Sequence, residues 1–236
     1  CVAIPTTAGT GAEATANAVF ASPEHGQKAS IRSPHMLATV ALVDPTLTLT
    51  CPPAVTASSG LDALTQCLEP YVSPRGNPVT DTVAAEGIRR GAGALRRAYE
   101  RGGDREAREE MMLCSLLGGI ALANAKLGAV HGLAGVIGGM VQAPHGAVCA
   151  ALLTPVVETN IRALRERDQD ALALRRYAEV ARLLTGRDDA VVDDAVSWLR
   201  ETVAALDVPT LTAMGLQPAQ HREVAEPASV LHVALA

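Results

Sequence analysis

The spacing of apolar positions along the chain changes near residue 50. Before that point they come in short runs, Cys1-Val-Ala-Ile4, Ala18-Val-Phe-Ala21 and 38–43, bounded by Pro, Gly and Asp. Short apolar runs between turn-forming residues read as strands, with Ser22-Pro-Glu-His-Gly26 and Asp44-Pro45 as turns. From Pro52 onward apolar residues recur at helical spacing. The segments 78–99, 104–126, 146–164, 170–184 and 188–206 each carry this period and are separated by Gly, Pro or charged turns. Together with a helical segment around 60–66, residues 52 to about 215 read as a bundle of roughly six or more helices. The charged run Asp104-Arg-Glu-Ala-Arg-Glu-Glu110 reads as a solvated helix start, its acids complementing the helix dipole. The expected fold class is α+β and predominantly α, with a short β segment over 1–50 followed by an all-helical domain over 51–236.

Composition supports the helical reading. Of the 236 residues, 48% are apolar but only 2% aromatic, so Ala, Leu and Val must build the core. Ala and Leu favour helices, whereas aromatics enrich sheets. The formal net charge is −5, and no Lys/Arg cluster is interleaved with aromatics, which argues against a nucleic-acid partner. The five cysteines, at 1, 51, 67, 114 and 149, are an odd number without a Cys-x-x-Cys pair. Such spacing points to reduced thiols in a cytoplasmic protein. Gly, His or Pro interrupts the longest apolar stretches and no basic leader precedes one, so neither a membrane span nor a signal peptide is expected. A first segment that starts in mid-strand without Met suggests that further sequence lies upstream of Cys1.

Candidate chemistry lies in three stretches of otherwise apolar helix. Asp62 stands in Gly60-Leu-Asp-Ala-Leu-Thr-Gln66, His131 in Gly128-Ala-Val-His-Gly-Leu-Ala-Gly135, and His145 in Ala143-Pro-His-Gly-Ala-Val148. A carboxylate and two imidazoles suit Zn²⁺ or Fe²⁺, and three protein ligands leave a position open. Gln66 is four residues from Asp62 and shares its helix face, although such a pair can equally hydrogen-bond on a helix surface. His131 alone reads as readily as a core histidine. His145 follows Pro144 and belongs on the first turn of the helix starting near Gly146. Between Thr6 and Glu13 small residues and hydroxyls follow the first strand and could approach a phosphate or ribose, or form an ordinary strand-to-helix turn. Cys67 and Cys149 read as core residues, because no basic partner is evident in sequence.

Taken together, Ile4-Pro-Thr-Thr-Ala-Gly-Thr-Gly-Ala-Glu-Ala-Thr15, Ala41-Leu-Val-Asp-Pro45, Ser59-Gly-Leu-Asp-Ala-Leu-Thr-Gln-Cys-Leu-Glu-Pro-Tyr71, His131-Gly-Leu-Ala134 and Pro144-His-Gly146 resemble the iron-dependent (group III) alcohol dehydrogenases of the dehydroquinate synthase-like fold. The resemblance spans residues 1 to about 217 in order. It implies the C-terminal part of that fold and an NAD- or NADP-dependent oxidoreductase interconverting an alcohol with an aldehyde or ketone. It implies Fe²⁺, or Zn²⁺, on Asp62, His131 and His145, with Gln66 at a further ligand position. It also implies cofactor contacts from Thr6, Thr7, Gly9, Thr10 and Thr15, a lysine near the cofactor ribose at Lys28, a small-molecule substrate and a homodimer. Three departures stand out. Gln66 and Gly135 replace histidines of the commonest pattern, and the family's Gly-Gly-Gly-Ser nucleotide-binding segment would lie before Cys1. The first two keep open a metal-independent reductase of the maleylacetate reductase type, and the third a truncated, non-catalytic helical fragment.

Overall fold

The computed structural model describes residues 1–22, 24, 27–167 and 172–225, with the backbone alone at 21, 22 and 27–29. Its strands are β1 (Val2–Ala3), β2 (Asn17–Ser22), β3 (Gln27–Arg32) and β4 (Val40–Ala41). Its helices are α1 (Pro53–Val72), α2 (Pro78–Glu100), α3 (Arg105–Ala125), α4 (Ala129–Met140), α5 (His145–Arg167), α6 (Leu172–Thr185) and α7 (Val192–Ala205), with a further helical turn at 221–225. The chain is thus α+β and predominantly α.

α1 is the axis of the bundle. Pro53 at its first position has φ set for a helix and lacks the N–H that would be unpaired there. Every residue from Gly60 to Pro70 is buried, because α2, α3, α5 and α6 pack around the helix. A helix enclosed on all sides needs small or apolar residues on every face, and Leu61, Leu64, Cys67 and Leu68 supply them. Asn77 caps α2 by accepting from the Val79 and Thr80 N–H groups, and Asp104 caps α3 by accepting from the Ala107 N–H at 3.0 Å. The charged run 104–110 is therefore a capped helix start, but it is not solvated throughout. Arg108 is 4% exposed and bonds the Thr56 hydroxyl at 2.8 Å and the Gly102 carbonyl at 2.9 Å. The core is aliphatic, and Tyr177 is the one aromatic among the largest fully buried side chains of the described residues. Cys67, at 0% exposure, packs against α3 and donates weakly to the Cys114 carbonyl at 3.4 Å. By length and composition α5 could cross a membrane, yet here it packs on α1, α4 and α7 as a core helix.

The β portion differs in detail from the pattern. Of the run 38–43 only Val40–Ala41 is strand, paired in parallel with Val2–Ala3. β2 pairs antiparallel with β3, from Asn17↔Arg32 to Ser22↔Gln27. β3 escapes an apolar-run search because Gln27, Lys28, Ser30 and Arg32 dominate it; pairing with β2, not burial, makes it a strand. Pro23, His25 and Gly26 of the expected turn lie outside the described residues, as do 170 and 171 at the expected start of α6. α4, whose first half reads as apolar helix around His131, falls outside the periodic segments because its glycines lower helix propensity and break the apolar period. Val2, Ile4, Val19, Phe20, Ile31, Val40 and Leu42 are all exposed, so apolar surface is concentrated on this portion.

α3 and α4 meet at a bend of 98°. The turn passes through Lys126 at φ 66°, ψ −177°, a conformation in which a Cβ crowds the backbone and which is otherwise almost confined to glycine. Lys126→Gly is expected to raise stability by about 1 kcal/mol, the strain relieved less the extra freedom of the unfolded chain. Urea denaturation checks this, and a loss of stability would mean that the lysine's contacts outweigh its strain.

Candidate metal centre

Asp62, Gln66 and Glu69 fall at i, i+4 and i+7 on α1 and so form one polar stripe. All three are buried, at 2%, 3% and 6% exposure, and each has found a partner. Glu69 Oε1 accepts from the Val130 N–H at 2.7 Å, and Oε2 lies 2.7 Å from His131 Nδ1. An anion is thereby held at the N-terminus of α4, where the helix dipole favours it, and the ring of His131 is oriented by the same carboxylate. The opposite ring nitrogen, Nε2, faces Asp62 Oδ1 at 3.2 Å.

α5 brings the second imidazole. Its first residue is His145, whose ring centroid lies 5.5 Å from that of His131 at a tilt of 54°. The next residue has to be small, since a Cβ at Gly146 would run into the Ser58 carbonyl and lie 3.3 Å from Asp62 Cβ. One helical turn further, Cys149 places Sγ 3.5 Å from His145 Nε2. Ligand atoms of Asp62, His131, His145 and Cys149 all lie within 4.8 Å of one another. Oxygen, two imidazole nitrogens and sulfur form a donor set suited to a divalent ion of intermediate softness such as Zn²⁺ or Fe²⁺.

The electrostatics are those of a buried cation site. Burial disfavours a charged His131, yet Cys149, Asp62 and Glu69 outweigh it and hold the imidazole pKa well above its usual value. Burial likewise works to raise Asp62, but the hydrogen bond and charge of His131, joined by the charge of His145, bring its carboxyl below the ordinary range. Burial pushes the Cys149 thiol up to about 12.

Asp62, His131 and His145 therefore converge, as the sequence leads one to expect. Gln66 shares their stripe, but its Nε2 donates to the Gly9 carbonyl at 3.0 Å, tying α1 to the Thr6–Thr15 loop. In that loop Thr6, Thr7 and Thr10 are exposed, while Gly9 and Thr15 are buried. The Thr15 hydroxyl donates to the Ala12 carbonyl at 3.0 Å, and the Thr10 hydroxyl accepts from the Ala12 N–H at 3.3 Å. Gly11 fixes the loop on α3: its φ is 56°, its N–H donates to Ser115 Oγ at 3.2 Å, and a Cβ there would collide with the Ser115 carbonyl. Lys28 lies on β3 with its side chain outside the described residues. A Cβ at Gly135 would meet nothing within 4 Å. Two residues of the centre were missed in sequence. Glu69 was signalled by its i+7 spacing from Asp62. Cys149, read as core for want of a basic partner, is buried as expected, but the fold supplies the partner in His145, one turn before it.

The C-terminal model of the Fe-containing alcohol dehydrogenase family matches residues 56–234, and the iron-containing alcohol dehydrogenase model matches residues 1–45. The chain belongs to the iron-containing alcohol dehydrogenase family. It is 43% identical over 173 residues to a 1,3-propanediol dehydrogenase of Klebsiella pneumoniae, covering 73% of this chain and 45% of that protein. A solved 1,3-propanediol oxidoreductase superposes with a TM-score of 0.87 at 35% identity, over 96% of this chain and 59% of the other. A maleylacetate reductase from Rhizobium superposes with a TM-score of 0.81 at 28% identity, over 97% and 60%. The chain spans about half the length of the curated relatives it matches.

Two outcomes follow from the geometry. Metal binding must displace the proton that Asp62 and Glu69 stabilise on His131, so affinity for Zn²⁺ should rise with pH through neutrality and beyond the ordinary imidazole pKa of about 6.5. Titration against a chromophoric chelator at several pH values measures this; a flat profile would contradict it. Glu69→Ala should weaken Zn²⁺ binding about ten- to a hundredfold, because His131 loses the group that orients it. Unchanged affinity would make Glu69 a cap of α4 and nothing more.

Proposed function

We propose that the protein carrying this chain interconverts a small alcohol with its aldehyde or ketone, using NAD or NADP and a divalent metal. The observation that carries the reading is the convergence of Asp62, His131 and His145 next to the loop whose Gly9 carbonyl is bound by Gln66. When bound, the metal would polarise the substrate oxygen and the dinucleotide would exchange hydride with the adjacent carbon. The chain's own residues do the positioning. Asp62, His131 and His145 hold the ion, and Glu69 keeps the His131 ring in register. Gln66 holds the loop against α1 through the Gly9 carbonyl, and the exposed hydroxyls of Thr6, Thr7 and Thr10 would serve as donors for phosphate or ribose. Lys28 is assigned to the ribose by family resemblance. Relatives named for 1,3-propanediol support a small, polar alcohol as substrate.

In this reading residues 1–50 complete a nucleotide-binding unit and 51–236 form the metal-binding domain. The apolar side chains exposed on β1 to β4 support packing of the first part against further protein, a second subunit among the candidates. Five free cysteines fit a cytoplasmic location.

A second reading is favoured by one observation: Gln66 is engaged by Gly9, and Gly135 leaves open space, so the site has fewer imidazoles than the family's commonest pattern. A metal-independent reductase of the maleylacetate type would fit such thinning. Asp62→Ala separates the two. In the metal-dependent reading it removes bound metal and lowers kcat/KM for NAD(P)H-dependent aldehyde reduction by at least about a hundredfold, a loss of several kcal/mol of charge stabilisation. Metal analysis with steady-state kinetics on the complete protein checks this, and turnover that survives both chelation and the substitution would favour the second reading.

A further inference from the structure

We propose that Cys149 binds the metal as a thiolate, making the centre a four-ligand site of one carboxylate, two imidazoles and one sulfur. The inference rests on the metal-dependent reading above and deepens it by naming the ligand that stands in for the imidazole missing at position 66.

Three observations carry it. Cys149 Sγ belongs to the group of ligand atoms that lie within 4.8 Å of one another, so one ion can reach all four. The residue is one turn beyond His145 on α5, which puts both side chains on the face that meets Asp62. At Gln66, by contrast, the amide nitrogen is engaged by the Gly9 carbonyl at 3.0 Å, which orients the side chain toward the loop. A neutral amide oxygen is also a weaker donor than a thiolate to a borderline-soft ion. Cys149 is fully buried among core residues, and its Sγ also lies 3.5 Å from His145 Nε2.

Binding exchanges one bond for another without redox change. The S–H bond breaks, its proton leaves to the buffer, and the metal–sulfur bond forms with the electron pair left on sulfur. The carboxylate and thiolate together balance the charge of a divalent ion, so its immediate shell is neutral. Sulfur in the shell biases the site toward Zn²⁺ or Co²⁺ over Fe²⁺, and zinc can still accept substrate as a fifth ligand.

Cobalt substitution tests this directly. The chelator-stripped protein is loaded with Co²⁺, bound metal is measured by equilibrium dialysis, and the near-ultraviolet spectrum is read for thiolate-to-cobalt charge transfer. Wild type should bind equimolar Co²⁺ and show the band. Cys149→Ser should lose the band and bind at least about tenfold more weakly, whereas Gln66→Ala should keep the band. Equimolar Co²⁺ without the band, or a band that survives Cys149→Ser, overturns the thiolate ligand and leaves the metal-dependent reading intact. No Co²⁺ binding by wild type overturns that reading and this inference with it. Zinc-edge X-ray absorption of the zinc-loaded wild type requires no variant: a sulfur scatterer in the first shell is expected, and a shell of nitrogen and oxygen alone rejects the proposal.

Discussion

A polar side chain on a helix that is enclosed on every side has to find its partner inside the protein. Leaving a buried donor or acceptor unpaired costs about 1–3 kcal/mol, and α1 carries Asp62, Thr65, Gln66 and Glu69 in a buried stretch. Thr65 solves the problem within its own helix by donating to the Leu61 carbonyl at 2.7 Å. The other three solve it by reaching out to different parts of the chain. Glu69 takes the start of α4, Asp62 takes the far side of His131, and Gln66 takes the loop before β2. One stripe of polar residues on one buried helix therefore determines where the metal centre, its orienting carboxylate and the candidate cofactor loop stand relative to each other.

The same enclosure explains the chemistry of the centre. Two carboxylates, at Asp62 and Glu69, converge on a single imidazole away from water, and low polarity strengthens each attraction while penalising any charge left alone. Without an ion, the proton on His131 is the cation available to both acids. With one, Asp62 and His131 would hold it through the atoms that here face each other, and Glu69 would keep the Nδ1 side of the ring. A metal bound here would take the place of that proton, which is what would couple affinity to pH. It would also let the second carboxylate favour metal binding through the His131 ring that it orients.

The gross fold and the three candidate ligands that converge could be read from the chain because each rests on a local signal. A change of apolar period marks the start of the bundle, and a charged or imidazole residue inside an apolar helix marks itself. Glu69 carried the same kind of signal, seven residues after Asp62, but its role depends on the start of α4 meeting α1, a contact between distant segments that no local pattern carries. Cys149 is the core residue that the sequence suggests, and its position one turn after His145 on the helix starting there also brings its Sγ 3.5 Å from His145 Nε2. β3 was missed because its identity as a strand comes from its partner: a run as polar as Gln27 to Arg32 has no pattern of its own.

The scarcity of aromatics acquires a physical reason from this arrangement. The centre is formed where backbones come close, with α5 approaching α1 at Gly146 and the loop approaching α3 at Gly11, and in both places even one added carbon would meet a carbonyl. Bulky core residues would hold the helices further apart, and a displacement of about 1 Å is enough to degrade a metal or cofactor site. An Ala-, Gly- and Leu-rich core gives up the large burial that aromatics provide, and it gains short distances between helices that can be set by backbone contact. Stability then has to come from the number of buried small side chains. α1, buried without interruption from Gly60 to Pro70, is where that trade is most complete, and it is the helix that carries the first ligand.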